Sequence, residues 1–374
     1  MTDTIGVALV GCGIIGFNHA NAIHRIPELV VVALVDVDAA AAGSLADHIE
    51  AQGSPRPAIF ASLDEALERG KPDLVVIGTP SGLHVSQAAA AIAAGAHVVI
   101  EKPLDVSLPR ARQIAELAAE AERRNLVVSV ISQHRFDPAS VVVARAAAEG
   151  DFGRLTSGVA SIAWWRGQDY YDSAAWRGTW ALDGGGAAMN QGVHTIDLLL
   201  WIFGEPVDVS ARTATLAHDR IEVEDTLVAT ITFASGALAV IHATTAAFPN
   251  VGTRLQVHGS LGSAVIEEDQ LLFFSSSASD QEGNQAASVV PADDLRGNPR
   301  APDSFVLGHQ RQYLDIVDAI ASKRPPGVRV QDALLALTVV RALYLSATLG
   351  RTISIAEVRD GSLDDVEVQT GGSK

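Results

Sequence analysis

The chain offers almost no sulfur chemistry. One cysteine, Cys12, among 374 residues excludes an intrachain disulfide and a thiolate metal cluster, and it suits a reducing cytoplasm. Positive charge is scarce too: 27 Lys plus Arg stand against 44 Asp plus Glu, and a formal net charge of −17 repels polyanions. Nucleic acid and an anionic membrane are therefore excluded as partners, and a neutral or locally clamped small molecule is expected. No apolar run is read as approaching the roughly 18 to 20 residues that cross a bilayer. The N-terminus, MTDTIGVALVGCG, carries an acidic residue where a secretory leader would be basic, so a cytoplasmic protein is expected. No metal is predicted. What is present is apolar material, 48% of the residues, enough for two cores, so two domains are expected.

The first domain is organised around HVVIEKP at 97–103, where a strand-forming run stops at Glu101, Lys102 and Pro103. Proline ends a ladder, and ligands of open parallel sheets lie off the carboxyl ends of the strands, so Lys102 is expected to point into a cleft; the alternative is a surface lysine in a turn. Upstream, a strand at 5–10 breaks into Gly11, Cys12, Gly13, Ile14, Ile15 and Gly16 before helical spacing begins. In such a turn the first glycine permits the bend, the second lets a pyrophosphate approach, and the third packs helix on strand, with Ile14 and Ile15 opening the helix whose N-terminus faces the anion. A second strand at 30–35 ends in Asp36, 20 residues after Gly16. A carboxylate there accepts from ribose hydroxyls and repels a 2′-phosphate, which favours NAD over NADP; the alternative is a turn cap.

Helix is predicted at 39–51, 63–68, 85–94 and 108–124, and strand at 74–78 and, as the sixth, at 126–131. Thr79, Pro80, His84, Glu101 and Lys102 then border the cofactor, although His84 reads equally as a solvated capping residue. Cys12 reads as a small filler. The whole is a doubly wound parallel sheet of the Rossmann kind, placed at 1–134.

These motifs carry a resemblance. GCGIIG, Asp36, TPSGLH at 79–84, EKP at 101–103 and GGGAAMNQGVHTID at 184–197 together resemble the glucose-fructose oxidoreductase, inositol dehydrogenase and rhizopine catabolism (Gfo/Idh/MocA) family over nearly the whole chain. The resemblance implies an NAD-dependent oxidoreductase acting on sugars or cyclitols. It also implies a homo-oligomer, dimer or tetramer, formed through the open face of its second sheet.

From residue 154 the period changes to two, with strands expected at 155–165, 207–216, 226–233, 237–248, 254–257, 264–267 and 271–275. This predicts an α+β domain at 135–359 with a large, mostly antiparallel sheet, entered by a helix at 139–149. Within 164–180, from the end of its first strand onward, lie four of the five tryptophans, with Trp165, Arg166, Tyr170, Trp176 and Arg177 in close succession. Flat aromatic faces suit sugar C–H surfaces and fixed donors suit hydroxyls, so these residues and Arg135 are expected at the substrate; the alternative is a packed subdomain with snorkelling arginines. Gly184 to Gly186 open a flexible turn into a helix at 187–201 on which Asn190, His194 and Asp197 share a face.

In the family the residue four before this histidine is commonly an aspartate that forms a catalytic trio with the lysine and the histidine. Asn190 cannot take a proton, so the acid–base work falls to His194 and Lys102. By the same resemblance His309 reaches the substrate, although its place near a helix start is also a structural one. Residues 275–304 are read as a mobile loop or a cover over the cleft, helices follow at 305–322 and 331–349, and 360–374 as an acidic tail without fixed structure. The expected reaction is oxidation of a secondary ring hydroxyl, or its reverse. Its rivals are a nucleotide-sugar dehydrogenase, a glycoside-cleaving enzyme with retained NAD, and a non-catalytic dinucleotide-binding sensor.

Overall fold

The first sheet is built from short runs of β-branched residues. In the computed structural model, which describes residues 4–279, 281–298 and 303–370, the strands β1 (Ile5–Val10), β2 (Leu29–Val35), β3 (Ala58–Phe60), β4 (Leu74–Ile77), β5 (His97–Ile100) and β6 (Val128–Val130) pair in the order β3-β2-β1-β4-β5-β6. Every pairing is parallel. Parallel strands are covered on both faces, which is why β4 reads LVVI and all four of its side chains are buried. The strand order reverses between β1 and β4, so the crevice for a ligand opens at the carboxyl ends of these strands. The strand that completes the six, β3, is the one the periodicity missed. Two of its three residues are exposed and it ladders only to β2 at the sheet edge, so no burial pattern marks it.

The second sheet holds eight strands. They are β7 (Leu155–Ala163), β8 (Pro206–Ala214), β9 (Thr226–Phe233), β10 (Leu238–Thr244), β11 (Gly252–Gly259), β12 (Gly262–Glu267), β13 (Gln270–Ser276) and β14 (Ile353–Ser354), in the order β13-β12-β11-β7-β10-β9-β8-β14. Only β7 and β10 run parallel. One face packs on the helix Val193–Phe203, where Phe203 stacks on Phe233 at 5.2 Å. On the other face Val228, Leu238 and Val240 remain exposed.

Two compact units result, Met1–Gln133 with Asp303–Leu334, and His134–Pro302 with Leu335–Lys374. The single cut at 134 is therefore corrected, because 303–334 returns to the first unit. Tyr313, Ile316 and Ala319 of the helix Ser304–Ser322 are buried in the same core as Val7, Leu9 and Val99. Gln312 fixes that return, accepting from Ser132 N at 3.0 Å and donating to Val130 O at 2.8 Å.

Three smaller expectations are also corrected. The helix Val330–Leu349 is long and apolar enough to cross a membrane by length and composition, and 56% of its apolar 18-residue stretch lies buried inside the protein. The described part of 275–304 is laid along β13, with Gln285 N donating to Phe274 O at 2.7 Å and a helical turn at Ala286–Val289; residues 280 and 299–302 lie outside the described residues. The tail as far as Thr370 is fastened, with Gln369 N on Thr348 Oγ1 at 3.0 Å and Thr370 Oγ1 on Glu222 O at 2.7 Å, while 371–374 lie outside the described residues.

Candidate active site

The three glycines of the first turn do different jobs. Gly11 has φ +99, and a Cβ there would lie 2.6 Å from Gly78 O; one at Gly16 would lie 2.5 Å from Gly11 O. The protein itself requires both. A Cβ at Gly13 would meet no protein atom within 4 Å, so the packing of the protein does not require this glycine. The helix Ile14–His24 starts at Gly13 with no side-chain cap, which leaves its first amides for an anion. Ile14 and Val37 flank this turn at 84% and 95% exposed, an apolar surface with no protein cover. Asp36 is fixed just beyond β2, its Oδ2 accepting Cys12 N at 2.7 Å and its Oδ1 accepting Asp38 N at 2.9 Å. A carboxylate has about four acceptor positions, so capacity for ribose hydroxyls remains. The residues present fit a dinucleotide. Burial, helped by Asp36, pushes the Cys12 thiol up to about 12, which makes it an inert filler.

The next two loops are tied together from inside. Thr79 Oγ1 is bonded to Gln87 at 2.6 Å and Pro80 is exposed. His84 is neither a solvated cap nor an open group. It is buried, with Nδ1 3.0 Å from Pro103 O and Nε2 2.8 Å from Thr79 O, and it staples the Thr79 loop to the EKP loop. Burial holds its pKa below the usual histidine value.

Glu101 also turns inward. Its Oε2 accepts Lys102 N at 3.0 Å, and its Oε1 lies 3.2 Å from His19 Nε2 and 3.6 Å from His309 Nε2. Burial alone would raise the Glu101 carboxyl, but the two imidazoles hold it well below the usual carboxylate range. His309 is 1% exposed, because its helix packs into the first core and sets the ring over Glu101. The structure thus places Glu101 and His309, expected at cofactor and substrate, among the buried supports of the EKP loop. His19 and Tyr313, bonded to each other at 2.8 Å, belong to the same support and were not anticipated. Lys102, half-buried at the end of β5, has no carboxylate partner among the described residues.

In the second unit Gly184 to Gly186 form a packed clamp, not a flexible turn. All three are buried, and a Cβ at Gly186 would lie 1.7 Å from Glu224 O. The Glu224 carboxyl accepts Gly186 N at 3.0 Å, Ala188 N at 2.9 Å and the Tyr344 hydroxyl at 2.9 Å, and burial pushes its pKa up to about 7. We expect Gly186→Ala to cost about 3 kcal/mol, since main chain cannot yield as a side chain would; the urea midpoint reads this directly.

The clamp leads into a wide π-type turn, Ala188–Gly192, and then into Val193–Phe203, so the predicted straight helical face is interrupted at Asn190. Asn190 Nδ2 donates to Asp183 Oδ1 at 2.7 Å and to Gly185 O at 3.2 Å. Asp183, buried, was missed; an acid immediately before a glycine run was the available signal. Asp197 accepts from Arg135 Nε at 2.7 Å and Nη2 at 2.6 Å, a bidentate pair along one guanidinium edge, with both side chains buried and Arg135 over the Trp201 ring. Arg135, expected at the substrate, therefore sits in an internal fork. The His194 ring packs edge to face against His134 at 5.0 Å. His134 lies 3.0 Å from both Asp137 and Asp269; burial opposes its charge, but the two carboxylates push it up to about 10.

Comparison with known proteins agrees with both halves. Residues 5–130 match "Oxidoreductase family, NAD-binding Rossmann fold", and residues 141–265 match "GFO/IDH/MocA C-terminal domain". The structure of the WlbA dehydrogenase from Bordetella pertussis, in complex with NADH and UDP-GlcNAcA, is similar at TM-score 0.81 and 30% identity, over 94% of this chain and 98% of that one. This chain belongs to the Gfo/Idh/MocA oxidoreductase family. Inositol 2-dehydrogenase of Rhizobium meliloti is 26% identical over 94% of this chain and 100% of its own length. D-Apiose dehydrogenase of Paraburkholderia graminis is 26% identical over 93% and 89% respectively.

In this Gfo/Idh/MocA chain the aromatic stretch after β7 divides into two groups. Trp165 packs on Phe248 at 5.3 Å and on His218 at 5.9 Å, and Trp180 packs on Tyr344 at 5.1 Å. Tyr170 is instead shared by two arginines, with Arg166 Cζ 5.0 Å and Arg177 Cζ 4.3 Å from its ring centroid. Each guanidinium also lies over a tryptophan, Arg166 over Trp164 at 5.0 Å and Arg177 over Trp176 at 4.6 Å.

Proposed function

We propose that this protein is an NAD-dependent dehydrogenase that oxidises a secondary ring hydroxyl of a sugar, sugar derivative or cyclitol, or runs the reverse ketone reduction. The observation that carries this reading is Lys102, a half-buried ammonium without a carboxylate partner among the described residues, at the carboxyl end of β5. NAD held along Gly11 to Gly16, with its ribose on Asp36, supplies the hydride acceptor. His194 takes the hydroxyl proton as general base. Lys102 donates a hydrogen bond to the same oxygen and stabilises the negative charge that develops there.

Asn190 positions that hydroxyl. Asp183 is acceptor-only when ionised, so it must face the Asn190 amide nitrogen, which leaves Oδ1 as the end that accepts from the substrate. NAD is favoured over NADP because Asp36 repels a 2′-phosphate and is followed by Val37 and Asp38, with no cation close behind. The exposed Val228, Leu238 and Val240 face supports pairing with a second copy of the chain, and a single buried cysteine suits the cytoplasm.

The test is NADH absorbance on mixing purified protein and NAD with inositols, hexoses, sugar acids, glycosides and nucleotide sugars. Signal with one class, matched by an equal amount of ketone, is the expected result. Silence with every class, in protein that binds NAD by calorimetry, would remove the dehydrogenase reading.

A further inference from the structure

The two arginines around Tyr170 are unusual for their lack of partners. The chain has 44 acidic residues against 27 basic ones, yet neither Arg166 nor Arg177 makes a side-chain hydrogen bond or ion pair among the described residues. The Nε of each is buried and without a partner. Of the carboxylates close in sequence, Asp172 is committed to Arg220 at 2.7 Å and Asp183 to Gly178 N and Asn190 Nδ2, both at 2.7 Å, while Asp169 is exposed and forms no ion pair with either arginine among the described residues. Stacking on aromatic rings occupies the faces of a guanidinium and leaves its edges, which are the donors that grip a planar or tetrahedral oxyanion in pairs.

The backbone beneath them is rigid. Arg166 N donates to Thr245 O at 2.9 Å, and Arg166 O accepts from His218 Nε2 at 2.7 Å. His218 Nδ1 lies 3.0 Å from the buried Asp225 carboxylate, which also accepts from the amides of Leu216, Ala217 and His218. Both ring nitrogens of His218 face acceptors, so the ring is favoured in its doubly protonated form and holds the Arg166 main chain in place.

We propose that the substrate of the dehydrogenase carries an oxyanion, a phosphate or a carboxylate, and that Arg166 and Arg177 are the residues that bind it. This rests on the dehydrogenase reading above for the identity of the site, and it narrows the substrate from carbohydrates in general to anionic ones. It also reconciles a strongly acidic protein with an anionic ligand, because the two guanidiniums supply locally the positive charge that the surface as a whole lacks.

The test is calorimetry on the NAD-loaded protein with UDP, glucuronate and glucose, repeated for Arg166→Gln and Arg177→Gln, with thermal melts of each. UDP or glucuronate is expected to bind and glucose to bind more weakly, with each substitution weakening the anion by roughly 10- to 100-fold, the range for a hydrogen bond to a charged group. NAD affinity and the melting temperature are expected to stay near wild type. Binding of UDP assigns the anion to phosphate, and binding of glucuronate alone assigns it to carboxylate.

The proposal is overturned if neither anion binds the wild type, or if both glutamine variants bind it undiminished. Should the glutamine variants fail to fold, Arg177→Lys keeps charge but loses the paired donors: weakened anion binding there supports the proposal, and unchanged binding overturns it. No turnover is required, so an anion that binds a protein silent toward every polyol would separate failure of the dehydrogenase reading from failure of this one.

Discussion

Gly13→Val is expected to abolish dinucleotide binding while leaving the fold intact. Gly13 has φ −78 and ψ −161, extended backbone that a branched residue adopts readily, and its added Cβ has no protein atom within 4 Å. An unstrained substitution facing open space changes stability by no more than about 0.5 kcal/mol. The same carbon fills the space that a pyrophosphate needs, so affinity for NAD should fall by about 100-fold or more. Thermal melts with and without NAD separate the two effects. Wild type gains stability with NAD by linkage, whereas Gly13→Val should melt at the wild-type temperature in its absence and gain nothing in its presence. Gly11→Ala is the contrasting control, because φ +99 and the 2.6 Å approach to Gly78 O make it lose stability as well as binding. A Gly13→Val protein that melts well below wild type without NAD would show that this glycine serves packing.

Lys102→Ala and His194→Ala are expected to remove catalysis and leave the cofactor bound. Loss of a preorganised donor to a developing oxyanion costs about 100- to 1,000-fold in kcat, and loss of a general base about 100- to 10,000-fold. If the two groups act on one oxygen, as proposed, the double variant should be little worse than the worse single one. Asn190→Asp is more informative than Asn190→Ala. It restores the acid common in the family but sets it against Asp183, whose Oδ1 is 2.7 Å from the Asn190 amide nitrogen. Two carboxylates that close cannot both ionise, so one must hold a proton. The expected result is lower activity at neutral pH that partly recovers on acidification, read as a shifted kcat/KM profile.

Where side chains repeat with the period of their element, the architecture was readable in the sequence. β4 and β5 are unbroken apolar runs because both faces are covered, and β9 alternates because one face is not. What the pattern could not convey is which core claims a given apolar face. The helix Ser304–Ser322 looks amphipathic wherever it goes, and only the packing of Tyr313 and Ile316 among Val7, Leu9 and Val99 assigns it to the first unit.

The candidate site was legible as residue types but not as directions. Glu101, His309 and Arg135 were read as facing ligands, and each is turned inward by a partner remote in sequence: His19 for Glu101, Glu101 for His309 and Asp197 for Arg135. Asn190 gains its acid locally, from Asp183 on the other side of the glycine clamp. The family resemblance implied a missing carboxylate at Asn190, and the structure supplies Asp183 as a buried neighbour.

On the proposed reading, this chain moves a hydride from a ring carbon to NAD. The most direct test is a single turnover with a polyol deuterated at the reacting carbon, followed by mass spectrometry of the cofactor. One deuterium is expected in the reduced nicotinamide for each ketone formed, and none with Lys102→Ala over the same interval. Deuterium found in solvent, or a changed substrate with the cofactor unlabelled, would contradict it.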